Sequence, residues 1–583
     1  MKPNTNKRPF ADPQCLAASP DWHLSKTCAK QRLAELKAQY AASGVLDKVS
    51  KPQVAVQVFD GEFGSGLDFL LTWQWWDTVN SGGSLVYLAI CEQPLTLDQL
   101  RQTQQQWPQL QSLSLALQEQ YPGAIKGFYQ LDFGVVKLIL VQAPKAEAMA
   151  QISAEFDVCL DQRAPDLQAQ RSSSSSQQPW QRPPHAMALA SRVAVIGGGI
   201  SGTATAYSLS QRGFDVTIIE QGQSLASGAS GNRQGMLYAK LPDNPTVAGQ
   251  YHQQGLQHSM ALLKRSLSSE HWQACGLLQL AKSPREEQQM QAVMARAYPS
   301  SWLQLLSLED AQAIAKQSLT AGGLLFPASG WVSPAHWCQA LFEHSGARLW
   351  SGSQVLALTQ HQGWQLQVQG DHQGVHHFDA VVLANANDAK TLVPQHQLAL
   401  KSIRGQVSYV QTQQGPDLVV CGEGYVTPAQ SGVLAAGASY NLHTDDVGLS
   451  EQDHLDNLQR MADVLPQTSN KGLGDVRGGR VGFRSVTPDY LPMVGQIADE
   501  NTVIERFGKL RKDANYQFKH TMPYLQGLYI NAGHGSKGLI SAPLSAEILA
   551  SQMANQALPV AQCVAWALDP NRFLIRDLIR RKR

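Results

Sequence analysis

The chain has 583 residues, a length that suits about three to four domain-sized units. Its 47 Lys+Arg against 46 Asp+Glu leave a net charge of +1, so no global field draws it to nucleic acid or to an anionic membrane, and any such contact has to come from a local patch. With 43% hydrophobic residues, 47 glycines and no internal repeat, it is neither disordered nor fibrous, and a compact α/β protein is the class that remains.

The N-terminal MKPNTNKRPFADPQ has no apolar h-region, and no run of 18 apolar residues follows anywhere, so a cytoplasmic protein with no membrane span is expected. Four strand-like runs come next: VAVQVFD (54–60), GGSLVYLAICE (82–92), VVKLILVQ (135–142) and FDVCLDQ (156–162). Polar, helix-like segments separate them, which predicts a parallel sheet in a lobe over 1–166. Residues 167–190, with Ser172 to Ser176 and then QQPWQRPPHAMALA, read as a flexible, Pro-stiffened linker. The second domain is expected over 191–583. The eight cysteines are scattered without a CxxC pair or a histidine at ligand spacing, so neither a metal site nor a disulfide framework is expected.

Arg192 to Glu220, RVAVIGGGISGTATAYSLSQRGFDVTIIE, reads as strand, glycine turn, helix, strand. Gly197 allows the tight turn, Gly199 lets a pyrophosphate approach the backbone, and Gly202 lets helix and strand pack closely. The phosphates then face a helix N-terminus, whose free N–H groups and dipole favour an anion. Glu220 ends the second strand, where its carboxylate can accept from both ribose hydroxyls and would repel a 2′-phosphate. The motif alone does not choose between FAD and NAD.

Four downstream segments make that choice: LASGASGNRQGMLY (225–238), FDAVVLANAND (378–388), RGGRVGFRSVTPDYLPMVG (477–495) and GLYINAGHGSKGLISAPLSAEILA (527–550). Their order resembles the FAD-dependent family of D-amino-acid, glycine and sarcosine oxidases. The resemblance implies an α/β fold in which a Rossmann-type FAD-binding domain is interleaved with a mixed-sheet α+β substrate domain. It implies that Ser230, Asn232 and Gln234 join the FAD site, and that Gly533, Gly535, Ser536, Lys537 and Gly538 lie by the flavin ring, their N–H groups stabilising negative charge there. Arg484 matches the family position that binds the substrate carboxylate as a bidentate pair, with Lys537 a possible second cation.

GGLLFPASGWVSPAHW (322–337), KSIRGQVSYV (401–410), CGEGYVTPA (421–429) and GASY (437–440) further resemble the oxidoreductase half of the bifunctional enzymes that make 5-methylaminomethyl-2-thiouridine at the tRNA wobble position. There the carboxymethylaminomethyl group on uridine 34 is a secondary amine bearing a glycine unit. The resemblance implies hydride transfer from the glycine CH₂ to the flavin, then hydrolysis of the imine to aminomethyl-uridine and glyoxylate. Arg404 and Tyr425 are placed near the substrate by it, and the basic tail NRFLIRDLIRRKR is a candidate for tRNA phosphate.

In that family the N-terminal half is an S-adenosylmethionine-dependent methyltransferase, which VFDGEFGSGLDFLLTW (58–73) echoes. Asp60 would be its acid, Gly64 and Gly66 its turn glycines, Glu92 its ribose ligand and Asp161, in LDQRAP (160–165), its active-site carboxylate. Three departures predict an incomplete Rossmann-like lobe with impaired methyl transfer. Glu62 stands where a turn glycine is expected, the Lys-Asn-Pro continuation after Pro165 is missing, and the chain enters the linker where three further strands should follow. The alternative is an oxidase of free glycine or sarcosine whose N-terminal piece is a non-catalytic docking module.

Overall fold

The structure, a computed structural model, describes residues 26–49, 51, 54–79, 82–160, 178–182, 186–188, 190–412, 414–466 and 475–583. The chain divides into two compact units, Met1–Ser173 and Ser174–Arg583.

The first unit is built on a five-stranded sheet ordered Gly127–Phe133, Val136–Gln142, Ser84–Ile90, Ala55–Asp60, Val158–Cys159. AVQVFD, SLVYLAI and VKLILVQ are apolar almost throughout and buried on both faces, as parallel strands covered by helices must be. One covering helix, Leu67–Val79, buries Phe69, Trp73 and Trp76. Tyr40, on the helix Lys26–Ala42, stacks on Trp75 of the covering helix at 4.5 Å.

The expectation of an all-parallel sheet fails at one edge. Gly127–Phe133 runs antiparallel to Val136–Gln142 in a tight hairpin. Gly134 turns at φ +82°, and its N–H donates to Asp132 Oδ1 at 2.9 Å. This strand hides an Asp132–Lys137 ion pair, 3.8 Å apart and almost fully buried, which breaks up its apolar pattern. At the opposite edge, Val158–Cys159 pairs over two residues only, and Asp161 lies outside the described residues.

The second unit has a six-stranded sheet ordered Arg348–Trp350, Asp215–Ile219, Arg192–Ile196, Ala380–Leu383, Tyr524–Ala532, Met493–Ala498. Five strands are parallel and the last is antiparallel. The carboxyl ends of three adjacent strands deliver Gly197, Ala384 and Gly533 to one crevice, where open α/β sheets bind ligands. Helices Ile200–Ser210 and Gly538–Met553 pack on this sheet and on each other, and Val247–Ser266 packs on Gly538–Met553. A Cβ at Gly255 would lie 2.3 Å from the Ile540 carbonyl oxygen. Arg212 and Glu547 form a buried ion pair at 2.9 Å between the first two of these helical segments.

The unit also holds an eight-stranded mixed sheet and two three-stranded ones, built from Gly235–Met236, Trp331–Val332 and Trp272–Gln273 and from Ser353–Gln360, Trp364–Gly370 and Gly374–Phe378. The eight-stranded sheet runs from Gln304–Leu306 through Gly323–Phe326, Leu277–Leu280, Val419–Cys421, Tyr425–Val426, Val433–Gly437 and Lys401–Gln411 to Val476–Val486 at its edge.

Two expectations about chain ends are corrected here. Much of the expected 167–190 linker lies outside the described residues, but 178–182 is docked on the second unit. Trp180 sits edge-on to Phe507 at 5.9 Å, and Gln181 O accepts from Trp566 Nε1 at 3.0 Å. The basic tail is partly committed to its own body. Arg572 holds Asp489 through two bonds of 2.9 Å, Arg583 pairs with Glu500, and Arg581 Nε donates to Arg511 O at 2.8 Å. Arg572 and Arg583, neutralised in this way, contribute little to binding phosphate, while Arg580, Arg581 and Lys582 remain exposed.

Candidate active site

The dinucleotide turn follows from packing. Gly197 stands at φ +106°, and a Cβ there would meet Ala384 O at 2.8 Å. At Gly202 a Cβ would lie 1.8 Å from Gly197 O, so only glycine lets the helix sit this close to the strand. Gly199 is the N-cap and offers no side chain to the helix's free N–H groups; Ser230 Oγ accepts that of Ile200 at 3.0 Å. The remaining orphan donors of the first turn suit an anion.

Glu220 is buried, and its carboxylate accepts from Gly198 N at 2.6 Å, Gly222 N at 2.7 Å and Ser227 Oγ at 2.8 Å. A carboxylate offers about four acceptor sites, so about one is left, enough for one ribose hydroxyl rather than both. Gln234 also needs correction. Its amide donates to Pro428 O at 3.0 Å and accepts from Thr427 Oγ1 at 2.8 Å, tying the 225–238 loop to the large sheet. Asn232 is half-buried at the end of the Ala229–Gly231 turn. Arg480, not singled out from sequence, clamps this loop by donating to Ser227 O at 2.7 Å and Gly228 O at 2.9 Å.

The 533–538 loop opens with Gly533 at φ +87° and Gly535 at φ +58°, and Gly538 begins the long helix. His534 was also missed by sequence reasoning. Its Nδ1 is 2.9 Å from Ser541 Oγ and its Nε2 3.1 Å from Asn531 Oδ1, and burial pushes it down to about 4, so the ring is a neutral brace. Asn531 in turn is bonded to Thr205 and Ser201 of the dinucleotide helix, which locks the two glycine loops together. Ser536 is exposed. Lys537 is pushed down to about 8, chiefly by burial and then by the charge of Lys240. Its own charge and, above all, burial push His252 down to about 3.

Arg484 reaches this region on the Val476–Val486 strand, whose end bridges His534. Its guanidinium lies flat on Gly405, where a Cβ would be 2.1 Å from Nη1, and Nη1 donates to Ser439 O at 3.1 Å. Among the described residues no carboxylate pairs with it. Its electrostatic neighbours are the phenols of Tyr425 and Tyr440, and burial lowers its pKa. Burial pushes Tyr425 up to about 12, so it stays a neutral donor.

Arg404, expected on the substrate side, belongs elsewhere. It is buried, ion-paired with Asp453, and donates to Asp446 O at 2.8 Å and Gly448 O at 2.6 Å. In the Arg404-Gly405-Gln406 stretch the residue that serves the site is the glycine, because strand alternation sends the neighbouring side chains to the other face.

The first unit fits S-adenosylmethionine poorly. Asp60 Oδ1 accepts from Glu62 N at 2.9 Å and Oδ2 from Tyr87 Oη at 2.7 Å, and burial, helped by the nearby Asp68, pushes its pKa up to about 7. Asp68 is held by Arg32 at 2.8 and 2.5 Å. Gly64 and Gly66 adopt the positive φ expected of turn glycines, +54° and +84°, and a Cβ at Gly66 would meet the Phe63 ring at 2.9 Å. Glu92 is exposed beside Lys145 N at 3.4 Å. Of the carboxylates expected to serve the cofactor, Asp60 is engaged on both oxygens, Asp161 lies outside the described residues, and Glu92 alone is exposed. Among the described residues no cluster of three or more His, Cys, Asp or Glu is placed to hold a metal ion, and no helix is long and apolar enough to cross a membrane.

Comparison with known proteins agrees with this geometry. The family described as FAD dependent oxidoreductase matches residues 192–552. The tRNA 5-methylaminomethyl-2-thiouridine biosynthesis bifunctional protein MnmC of Pseudomonas aeruginosa (strain UCBPP-PA14) is 35% identical over 89% of this chain and 90% of its own length. Its namesake from Chromobacterium violaceum is 32% identical over 91% of both. Among solved structures, glycine oxidase from Geobacillus kaustophilus aligns with a TM-score of 0.51 at 23% identity, covering 63% of this chain and 95% of that one, which supports the fold. The chain therefore belongs to the FAD dependent oxidoreductases and, within them, to the family of tRNA 5-methylaminomethyl-2-thiouridine biosynthesis bifunctional proteins.

Proposed function

We propose that this chain is an FAD-dependent oxidoreductase of the cytoplasm that removes the carboxymethyl group from 5-carboxymethylaminomethyl-(2-thio)uridine 34 of tRNA. The products are 5-aminomethyl-(2-thio)uridine and glyoxylate. The observation that carries this reading is Arg484, a half-buried guanidinium with no carboxylate partner among the described residues, on the strand that abuts the 533–538 glycine loop.

The Gly197–Gly202 turn, Glu220, the Ser230–Asn232 segment and the Gly535–Gly538 loop would hold FAD. When bound, FAD supplies the acceptor for the hydride of the N–CH₂ carbon, and water hydrolyses the resulting imine of the substrate. The protein's share is placement. Arg484 grips the glycine-unit carboxylate as a planar fork, and Tyr425 stands by as a neutral hydroxyl. Lys537, close to its titration point near neutral pH, can hold or release a proton at Nζ. The backbone N–H groups of 535–538 and the start of the helix behind them favour negative charge. No methyl-transfer step is assigned to the first unit, because Asp60, its expected acid, is already engaged on both oxygens.

Mass spectrometry of wobble nucleosides from cells lacking the protein tests the proposal. Accumulated carboxymethylaminomethyl-uridine is the expected result, and an unchanged profile rejects it.

A further inference from the structure

The substrate side of the site ends in two aromatic rings that the fold does not bury. Arg484 donates to the carbonyl of Ser439, and the next residue, Tyr440, is 51% exposed. Its phenol lies within electrostatic reach of Arg484 and of the phenol of Tyr490, which is 68% exposed.

Tyr490 is held in the left-handed region, φ +60°, which is unfavourable for a bulky residue. The turn around it is over-determined. Asp489 Oδ1 accepts from Thr487 Oγ1 at 3.0 Å and Leu491 N at 3.1 Å, Tyr490 N donates to Thr487 O at 3.2 Å, and Arg572 clamps Asp489 from outside. Folding gains little burial from this ring and bears the strain of its backbone, the pattern of a residue kept for a ligand.

The ligand's chemistry follows from the arm of the proposed substrate, on whose identity this inference rests. With the carboxylate on Arg484, an arm a few bonds long brings the pyrimidine out at the rim. Bases of single-stranded RNA loops are splayed and stack on aromatic side chains. The adjoining loop carries Asp445 and Asp446 and no Lys or Arg between 440 and 449, so the rim suits an uncharged base rather than the phosphate backbone.

We propose that Tyr440 and Tyr490 form a stacking platform for the uracil ring of the substrate nucleotide. The base is held at the rim while Arg484 holds the carboxylate, and Arg572 acts as a positioning residue through Asp489.

The test is steady-state kinetics of the FAD-loaded enzyme on tRNA bearing carboxymethylaminomethyl-uridine, with Tyr490→Ala, Tyr490→Leu, Tyr490→Phe and Tyr440→Ala. Stacking one base on one ring is worth about 5- to 150-fold in affinity. Each alanine variant, and the leucine variant, is therefore expected to raise KM by about that factor with kcat within about twofold and FAD content unchanged. Tyr490→Phe, which keeps the ring, is expected to restore wild-type KM. Alanine variants with unchanged KM, or a phenylalanine variant as poor as leucine, overturn the platform while leaving the substrate assignment intact. A wild-type enzyme inactive on this tRNA overturns both.

Discussion

Replacing Arg484 by alanine removes the cation proposed to pair with the substrate carboxylate. Truncating one member of a desolvated charge pair costs about 2 to 5 kcal/mol. Arg484 is only half-buried before substrate covers it, so the lower part of that range applies, about 2 to 3 kcal/mol, or about 30- to 150-fold in kcat/KM. Arg484→Lys keeps the charge but loses the planar fork and should fall between wild type and alanine. The same loss should be reachable without touching the arginine. A methyl group at Gly405 would sit 2.1 Å from Nη1, 2.6 Å from Cζ and 2.7 Å from Nη2, so Gly405→Ala must push the whole guanidinium off its seat. The assay is glyoxylate release from carboxymethylaminomethyl-modified tRNA, with bound FAD measured by absorbance in the same samples. Full FAD content with wild-type kcat/KM in Arg484→Ala, or an unimpaired Gly405→Ala, would refute the placement of the carboxylate.

Gly202→Ala, whose Cβ would be 1.8 Å from Gly197 O, is expected to yield protein that folds its second unit but purifies without flavin; normal FAD occupancy contradicts the cradle. Arg404→Ala should act on stability instead of catalysis. Leaving Asp453 buried without its partner costs about 3 to 5 kcal/mol, read as a lower denaturation midpoint with KM unchanged in the surviving folded enzyme. Lys537 supplies a pH signature. Burial and Lys240 lower its folded pKa to about 8, so from about pH 8 up to the ordinary lysine value the unfolded chain binds more protons, and stability should rise with pH across that window. In kcat/KM the ionisation near pH 8 should move upward in Lys240→Gln and vanish in Lys537→Met. A profile identical in all three enzymes excludes the assignment.

Much of this architecture is legible in the sequence where one residue type has a single physical use. Gly197 and Gly202 announce the pyrophosphate turn because nothing larger fits, and the apolar runs around 193–196, 216–219 and 381–383 read as buried parallel strands. Partners distant in the chain are not legible. Arg404 and Arg484 read alike as arginines in motif-bearing strands, and only the fold shows Asp453 neutralising the first while Gly405 makes a seat for the second. The Gly127–Phe133 strand escaped notice because its buried Asp132 answers Lys137 on the neighbouring strand, a pairing that looks in one dimension like two surface charges. Tyr440 and Tyr490 stood in motifs already singled out, GASY and RSVTPDYLPMVG, yet exposure and backbone strain are properties of the fold alone.

The central claim is that a dinucleotide cradle and Arg484 act together on a glycine unit carried by RNA. Its most direct measurement is a single-turnover reaction of the FAD-loaded protein with carboxymethylaminomethyl-uridine tRNA, following flavin bleaching, glyoxylate and the wobble nucleoside together. One aminomethyl-uridine and one glyoxylate per flavin reduced is the predicted outcome. A flavin that stays oxidised with this tRNA, yet bleaches with free glycine or sarcosine, would contradict it.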